Sequence, residues 1–139
     1  MATYVKYQKG VVALLEGGNT SSDTYTLRLT NSAPTVATDT TIVSELATSG
    51  GYTSGGVTCT LTSHAQTAGT YKLVLAAPAS PTWTASGGGF TFEYVVLYNN
   101  TKAQCIAYWD YGSAVVMNGT NGDTFTPTLD ATNGTFTVA

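Results

Sequence analysis

The chain has 139 residues, of which only 9% are charged, and its formal net charge is −3. This length fits a single domain with a sizeable core. Five Lys and Arg residues lie singly along the chain, so we expect no binding to nucleic acid. Nine Tyr, four Phe and two Trp argue against a disordered chain. A surface this poor in charge is easily desolvated against a protein partner.

The first segment, residues 1–18, is predicted to carry a short helix packed on the rest of the chain. Apolar residues between Tyr4 and Glu16 follow a helical stripe, and the pair Gly17-Gly18 would end the helix before a polar loop, Asn19–Ser22. The segment lacks the form of a signal peptide, so we expect synthesis in the cytoplasm. No stretch approaches the roughly 20 apolar residues of a membrane span, so no membrane association is expected.

Two segments follow the helix. Thr24–Thr30 alternates apolar and polar residues, which predicts a half-buried strand. Ile42–Leu46 is predicted to form one helical turn capped by Thr40 or Thr41.

A glycine-rich stretch, Ser49–Gly56, surrounds Tyr52 and contains four glycines in eight residues. Such a loop either approaches another backbone closely or moves. It lacks the Gly-Lys-Ser/Thr ending of a phosphate-binding loop. A strand over Val57–Ser63 and a second over Thr70–Ala76 are predicted to form a hairpin after it.

The stretch Phe90–Tyr98 is nearly all aromatic or β-branched and predicts the first arm of a central hairpin. Asn99-Asn100 fits a two-residue turn, and Gln104–Tyr111 fits the returning arm. Both faces of the first arm are apolar, so we expect it to be covered on both sides.

The last part of the chain is predicted to add short strands. Ala114–Met117 and Thr124–Thr126 are extended runs, and Asn133-Gly134 indicates a hairpin turn between Thr128–Ala131 and Thr135–Val138. The predicted fold is mainly β, a single-domain antiparallel β-sandwich or β-barrel of seven or more short strands with a short N-terminal helix.

The sequence offers no set of catalytic or metal-binding residues. His64 is the only histidine, and no nucleophile-elbow pattern surrounds any serine. Cys59 and Cys105 are expected to be free, buried thiols. We therefore expect no enzyme, no cofactor and no metal site.

Glu93 is the one charge in the central strand. A buried acid there would have a raised pKa. The simpler expectation is that Glu93 faces the rim or pairs with Lys72 or Arg28.

Two tryptophans are candidate contact residues. Trp83 follows two prolines and is predicted to be an exposed anchor. Asp110 lies between Trp109 and Tyr111, a mixture also found in sugar-binding sites. Burial of Trp109 in the core and rim or in a subunit interface is the favoured interpretation.

Five segments, in this order and spacing, resemble a family of small virion structural proteins of tailed bacteriophages. They are Leu29–Pro34, Gly51–Gly56, Tyr94–Tyr98, Ile106–Gly112 and Asp130–Phe136. The resemblance covers nearly the whole chain. It departs at Cys105-Ile-Ala107, where the family pattern has a glycine before the aromatic pair.

The resemblance implies a virion component synthesised in the host cytoplasm. We expect a capsid decoration (cement) protein that binds the major capsid protein on the outside of the head, as a homotrimer at local three-fold axes. The alternatives are a tail-fibre or spike module that binds host glycans, and a tail or neck adaptor of six-fold or twelve-fold symmetry. The candidate interface residues are Gly51, Tyr52, Gly55, Gly56, Trp83, Trp109 and Tyr111.

Overall fold

A computed structural model describes residues 1–17 and 22–139. Its strands are β1 (Thr3–Lys6), β2 (Tyr25–Thr30), β3 (Val57–Thr58), β4 (Thr60–Thr67), β5 (Thr70–Ala76), β6 (Trp83–Thr84), β7 (Phe90–Asn99), β8 (Gln104–Met117), β9 (Thr124–Phe125) and β10 (Phe136–Val138). One helix, α1 (Gln8–Glu16), lies between β1 and β2. The predicted mainly β, sandwich-like architecture with a short helix is confirmed.

Two layers of antiparallel strands enclose the main core. The first layer is a five-stranded sheet in the order β1-β8-β7-β2-β3. The second is a three-stranded sheet in the order β10-β5-β4, and a two-stranded ladder joins β6 to β9. The core between them is built from buried side chains of both layers, such as Leu27, Leu97, Leu75 and Phe136. Burial of these apolar surfaces is the main force that holds the layers together.

The central hairpin of β7 and β8 is present, and both faces of β7 are covered as predicted. Val95 and Leu97 point into the main core. Val96 and Tyr98 point to the opposite face, where they form a second cluster with Tyr7. The near-continuous apolar pattern of this strand therefore reflects burial on two sides.

The turn of this hairpin differs from the prediction. It spans residues 100–103, Asn99 is still part of β7, and the positive φ of 51° belongs to Ala103. The returning arm also continues to Met117, so the predicted short strand at 114–117 is the end of β8. Between the pairs Tyr94–Asp110 and Phe92–Val115 the register shifts, because β8 has extra residues that form a β-bulge.

The N-terminal segment is only partly helical. Tyr4 lies in β1, which pairs with β8, and the helix begins at Gln8. Gly10 permits the helix to pack on β8, because a Cβ atom there would lie 2.8 Å from the Cys105 carbonyl oxygen. Gly17 ends the helix as predicted, and its N–H donates to the Ala13 carbonyl. Gly18, the second glycine of the pair predicted to end the helix, lies outside the described residues, as does most of the loop 19–22.

The predicted helical turn at 42–46 is wrong. This segment is irregular, Ser44 has a φ of 51°, and Glu45 forms a β-bridge with Thr30. The Thr30 hydroxyl donates to carbonyl oxygens of Val43 and Ser44. These contacts bury the outer face of β2 as well, so β2 is not the half-buried strand that its alternation predicts.

Two predicted strands near the sheet edges also differ. The segment 57–63 divides into β3, which pairs with β2, and β4, which pairs with β5, so the chain crosses between layers at buried Cys59. Residues 128–131 form no strand in the described structure. Asp130 instead accepts hydrogen bonds from the N–H groups of Thr132 and Asn133, which makes a local turn before β10.

Candidate functional site

A cavity of about 650 Å³ opens between the β1–β8 edge of the first sheet and the segment that leads into β10. Aromatic side chains supply much of its wall, and hydroxyls and one carboxylate lie at its polar parts. Its lining residues are Met1, Ala2, Tyr4, Trp109, Tyr111, Phe125, Thr126, Thr128, Asp130, Gly134 and Thr135. Its volume lies within the range of about 300–1,000 Å³ that is typical of small-molecule sites.

Strand pairing places the aromatic wall. Tyr4 of β1 lies directly opposite Trp109 of β8, and their ring centroids are 5.3 Å apart. Tyr111 lies two residues further along β8, on the same face as Trp109. Its ring meets Phe125 edge-on at 5.5 Å. All four rings are half-buried, and those of Trp109, Tyr111 and Phe125 pack against the main core.

The Tyr4 hydroxyl is a polar group without a hydrogen-bond partner in the described structure, although its oxygen is buried. Burial raises the pKa of this phenol well above its ordinary value, so it stays protonated at neutral pH. A buried hydroxyl without a partner is unfavourable by about 1–3 kcal/mol. Because this oxygen is buried, solvent does not reach it, and the cost falls on the stability of the fold.

Asp130 supplies the carboxylate of the cavity. Hydrogen bonds from the backbone and side chain of Asn133 hold the pKa of Asp130 below its ordinary value, so it is ionised at neutral pH. The side-chain amide of Asn133 donates to one oxygen at 2.9 Å. Among the described residues that line the cavity, none is Lys or Arg. The charged groups of its lining are therefore the Asp130 carboxylate and the N-terminal ammonium of Met1.

Trp109 and Tyr111 are the two predicted interface residues that the structure brings together in this cavity. Trp83 is elsewhere. Its side chain is only 3% exposed and stacks on Phe125 at 5.9 Å. The prediction that Trp83 is an exposed anchor is therefore wrong, because β6 pairs with β9 and turns the indole into the core.

The four loop candidates do not form an exposed surface patch. Tyr52 is 1% exposed, and its ring lies near those of Trp83 and Phe90. A Cβ at Gly51 or Gly56 would overlap a backbone carbonyl of Thr84 or Leu27, respectively. The loop thus follows the close-approach alternative at these positions. Gly55 has open space around it.

An ion pair between Arg28 and Glu45, which we call the charged hub, connects this loop to β2. The Arg28 guanidinium contacts the Glu45 carboxylate at 3.1 Å and lies 4.2 Å from the Tyr98 ring centroid. Glu45 also accepts hydrogen bonds from the Tyr52 hydroxyl at 2.7 Å and from the Gly55 N–H. Both ionic side chains are less than a fifth exposed. The hub is thus a structural element rather than a surface ion pair.

The expected partners of Glu93 are different in the structure. Arg28 pairs with Glu45, and the Lys72 ammonium lies 3.5 Å from the Thr132 carbonyl oxygen. Glu93 is half-buried and lies opposite the β8 bulge. The expected pairing of Glu93 with Lys72 or Arg28 is therefore wrong, whereas its half-buried position fits the other expectation, that it faces the rim.

The predicted hairpin is present as β4 and β5, but its projecting arm and open edge are features that the sequence interpretation missed. Every residue from Thr62 to Gly69 is exposed, so this arm extends beyond the core. Ala68 and Gly69 have φ values of 50° and 85°, which defines a tight two-residue turn. Within the described residues β4 has a single neighbouring strand, β5. Its outer edge, which includes His64, is open.

The two thiols are free and buried, as predicted. Burial raises the pKa of Cys59 and of Cys105 to about 12 in each case. Such thiols are poor nucleophiles and poor metal ligands at neutral pH. In residues 1–17 and 22–139 no group of three or more His, Cys, Asp or Glu side chains could hold a metal ion.

Comparison of the chain with protein-family models, with curated proteins and with solved structures finds no match in any of the three. Within the described residues, no helix has the length and apolar character needed to cross a membrane.

Proposed function

We propose that the protein is a structural component of a tailed-phage virion, a decoration protein that binds the outside of the head and stabilises contacts between capsomers. Its partner is the major capsid protein, and it acts as a homotrimer at local three-fold axes. The resemblance of five segments to small virion proteins supports this assignment. The observation that carries it is the projecting arm of β4 and β5.

The arm suits strand-to-strand assembly. The segment Thr60–Gly69 contains no Asp, Glu, Lys or Arg. Monomeric proteins commonly protect an open edge with charges, prolines or bulges. β4 carries a register shift near Leu61, but the run from Ser63 to Thr67 pairs regularly with β5. Its outer side can therefore add a strand from a partner.

The direction of the backbone groups follows from the turn. In a two-residue hairpin the residues that flank the turn, Thr67 and Thr70, exchange hydrogen bonds with each other, and the pattern then alternates. The backbone N–H and C=O groups of Gln66 and His64 accordingly point away from β5. These groups are the donors and acceptors for an added strand.

Weak contacts are sufficient for this role. Hundreds of copies acting together stabilise a shell through many modest interfaces, since binding at linked sites is multiplied by effective concentration. The arm replaces the glycine-rich loop as the part expected to contact a partner, because the loop is held against its own backbone.

The primary test is the copy number of the protein in purified virions, measured by quantitative mass spectrometry. A decoration protein is present in hundreds of copies, arranged with three-fold symmetry in a cryo-EM map of the head. A handful of copies, or a six-fold or twelve-fold ring at the neck or tail, would refute the proposal.

A second test addresses the arm itself. Gln66→Pro removes the outward N–H and leaves the pairing with β5 in place. The matched control, Gln66→Ala, keeps the N–H. We expect the proline variant to fold but to lose binding to capsids that lack the protein, while the alanine variant binds normally. Equal binding by both variants would exclude the β4 edge as the contact.

A further inference from the structure

We infer that Asn121 is a site of spontaneous deamidation, at which a neutral amide becomes a carboxylate without the help of an enzyme. The sequence contains three Asn-Gly pairs, which begin at Asn118, Asn121 and Asn133. A glycine after asparagine favours this reaction, because no Cβ atom hinders the approach of its backbone nitrogen to the side-chain amide. The fold treats the three pairs differently. The inference is independent of the proposed place in a virion.

The reaction joins two groups that are adjacent in the chain. The backbone nitrogen of Gly122 becomes a nucleophile when water or hydroxide takes its proton, and it then attacks the side-chain carbonyl carbon, Cγ, of Asn121. A C–N bond forms there, the bond from Cγ to Nδ2 breaks, and Nδ2 takes a proton from water and leaves as ammonia. Water then opens the five-membered succinimide ring at either of its two carbonyls. The products are aspartate and isoaspartate, in which the main chain runs through the former side chain.

Asn121 is the asparagine whose side chain the fold leaves without restraint. This side chain is exposed and forms no hydrogen bond within the described residues, although the backbone N–H of Asn121 donates to Asn118 Oδ1. The Gly122 N–H donates to the Gly119 carbonyl at 3.3 Å. That bond is longer than the usual range of about 2.7–3.2 Å, so little is lost when the nitrogen turns towards Cγ. Open space surrounds Gly122, which gives water access to the reacting groups.

Asn118 is also exposed, but hydrogen bonds hold its side chain. Its Oδ1 accepts from the backbone N–H groups of Thr120 at 2.9 Å and of Asn121 at 3.2 Å. The glycine that follows, Gly119, is enclosed, since a Cβ there would overlap the Ser86 carbonyl. Ring closure at this pair would break both bonds and move Gly119 against the neighbouring backbone. We therefore expect slow reaction at Asn118.

Asn133 is exposed as well, and a carboxylate holds it. Its Nδ2 donates to Asp130 Oδ2 at 2.9 Å, and its backbone N–H donates to Asp130 Oδ1 at 2.7 Å. The bond to an anion keeps the amide group in place and keeps electron density on Nδ2, so the carbonyl carbon is a weaker electrophile. Hydrogen bonding rather than exposure thus separates the three pairs.

Isoaspartate at position 121 would change the turn between β8 and β9. The turn is closed by the Asp123 N–H, which donates to the Asn118 carbonyl at 3.1 Å, and by the Asn118 N–H, which donates to Asp123 Oδ2 at 2.8 Å. The Asp123 carbonyl in turn accepts from the Ala85 N–H, beside the β6–β9 ladder. Because isoaspartate adds one main-chain carbon, we expect these contacts to weaken as the protein ages.

The test incubates the full chain at pH 8 and follows the three pairs by peptide mass spectrometry, in which isoaspartate is recognised by its altered retention and fragmentation. We expect Asn121 to react about tenfold faster than Asn118 or Asn133, because each of those must first lose hydrogen bonds. The matched control is Asn121→Gln, whose longer side chain would have to close a six-membered ring and should not react over the same time. The midpoint of urea unfolding should fall with incubation in the unmodified chain and stay constant in this variant.

Asp130→Asn tests the protection of Asn133. The amide that replaces the carboxylate keeps one oxygen for the N–H groups of Thr132 and Asn133, but it removes the anion that holds Asn133 Nδ2. We expect deamidation at Asn133 to become about tenfold faster. The rate at Asn121 should not change, and it serves as the internal control.

A parallel incubation in concentrated urea separates the fold from the local sequence. The three pairs should react at similar rates there, since unfolding removes every hydrogen bond that restrains them. Equal rates in the native chain, or faster reaction at Asn118 or Asn133 than at Asn121, would overturn the inference. A preference for Asn121 that persisted unchanged in urea would also overturn it, because the neighbouring residues and not the fold would then set the rate.

Discussion

The hydroxyl of Tyr52 provides the sharpest test of how the glycine-rich loop is held. It accepts a hydrogen bond from the buried backbone N–H of Leu29 at 3.1 Å and donates to the Glu45 carboxylate at 2.7 Å. Tyr52→Phe removes both bonds and keeps the ring in place against Trp83 and Phe90. The substitution therefore measures polar anchoring without creating a large cavity.

The expected loss of stability is about 3 kcal/mol. A hydrogen bond to a charged group contributes about 1.5–3 kcal/mol, and an unsatisfied buried N–H is unfavourable by about 1–3 kcal/mol. The two effects are not additive, since Glu45 keeps its contacts with Arg28 and Gly55. At an unfolding entropy of about 2.1 cal/mol/K per residue, this loss lowers Tm by about 10 °C.

Urea unfolding monitored by tryptophan fluorescence measures the effect, with a shift of the midpoint at constant slope as the expected signature. Tyr71→Phe is the matched control, because the Tyr71 hydroxyl is buried without a hydrogen-bond partner in the described residues. We expect that control to be neutral or slightly stabilising. If the two variants had the same stability, the assignment of Tyr52 as the anchor of the loop would be refuted.

Three further predictions test other parts of the molecule. Gly119→Ala should destabilise the fold by about 2 kcal/mol or more in urea unfolding, because its Cβ would overlap backbone atoms of residues 86 and 87, whereas Gly88→Ala, in open space, should be neutral. Cys59 and Cys105 should not react with 5,5′-dithiobis(2-nitrobenzoic acid) at pH 8 until denaturant is added. A pKa of about 12 leaves about one thiol in ten thousand ionised at that pH. Rapid labelling of the native protein would contradict this prediction. Folding lowers the pKa of Asp130, so the contribution of this carboxylate to stability is present above about pH 4 and is lost as the pH falls through the lower pKa of the folded state. The NMR shifts of the backbone amides in the Asp130 turn should report this titration. Asp130→Asn should abolish it.

Local sequence patterns predicted the parts of the fold that depend on local chemistry. The apolar run of β7 required cover on both faces, and the structure supplies it. Gly17 ends the helix where a C-cap glycine is expected. At the turn 68–69, in contrast, only Gly69 is a residue that favours positive φ, and Ala68 adopts a φ of 50° against its own preference.

Errors arose where a distant contact overrode the local pattern. Tyr4 fits a helical stripe, but pairing with Trp109 draws it into β1. Trp83 follows two prolines, yet pairing of β6 with β9 buries its ring against Phe125. The spacing of apolar residues predicts a helical turn at Glu45. Its bonds to Tyr52 and Arg28, which hold the segment in an irregular form, cannot be inferred from that spacing.

The cavity could be predicted only in part. Trp109 and Tyr111 were identified, since an aromatic pair flanking an acid is a recognisable pattern. Tyr4, Phe125 and Asp130 come from remote parts of the chain and meet there only through tertiary packing. The free edge of β4 was missed because alternation in 57–63 suggested a single strand instead of two that cross between layers.

The strand order of the larger sheet also determines how the chain must fold. Among the neighbouring strands of this sheet in residues 1–17 and 22–139, only β7 and β8 are joined by a short connection. The pairings of β2 with β7 and of β1 with β8 join residues far apart in the chain, such as Thr30 with Tyr94 and Thr3 with Asp110. Closing such long loops is entropically unfavourable before the contacts form, so folding on the scale of milliseconds to seconds is expected. The β7–β8 hairpin is the local element on which a nucleus can grow, and β1, the edge strand that carries Tyr4, would join the sheet late. In stopped-flow refolding, the part of the fluorescence change that comes from Trp109 should then occur after most of the total change.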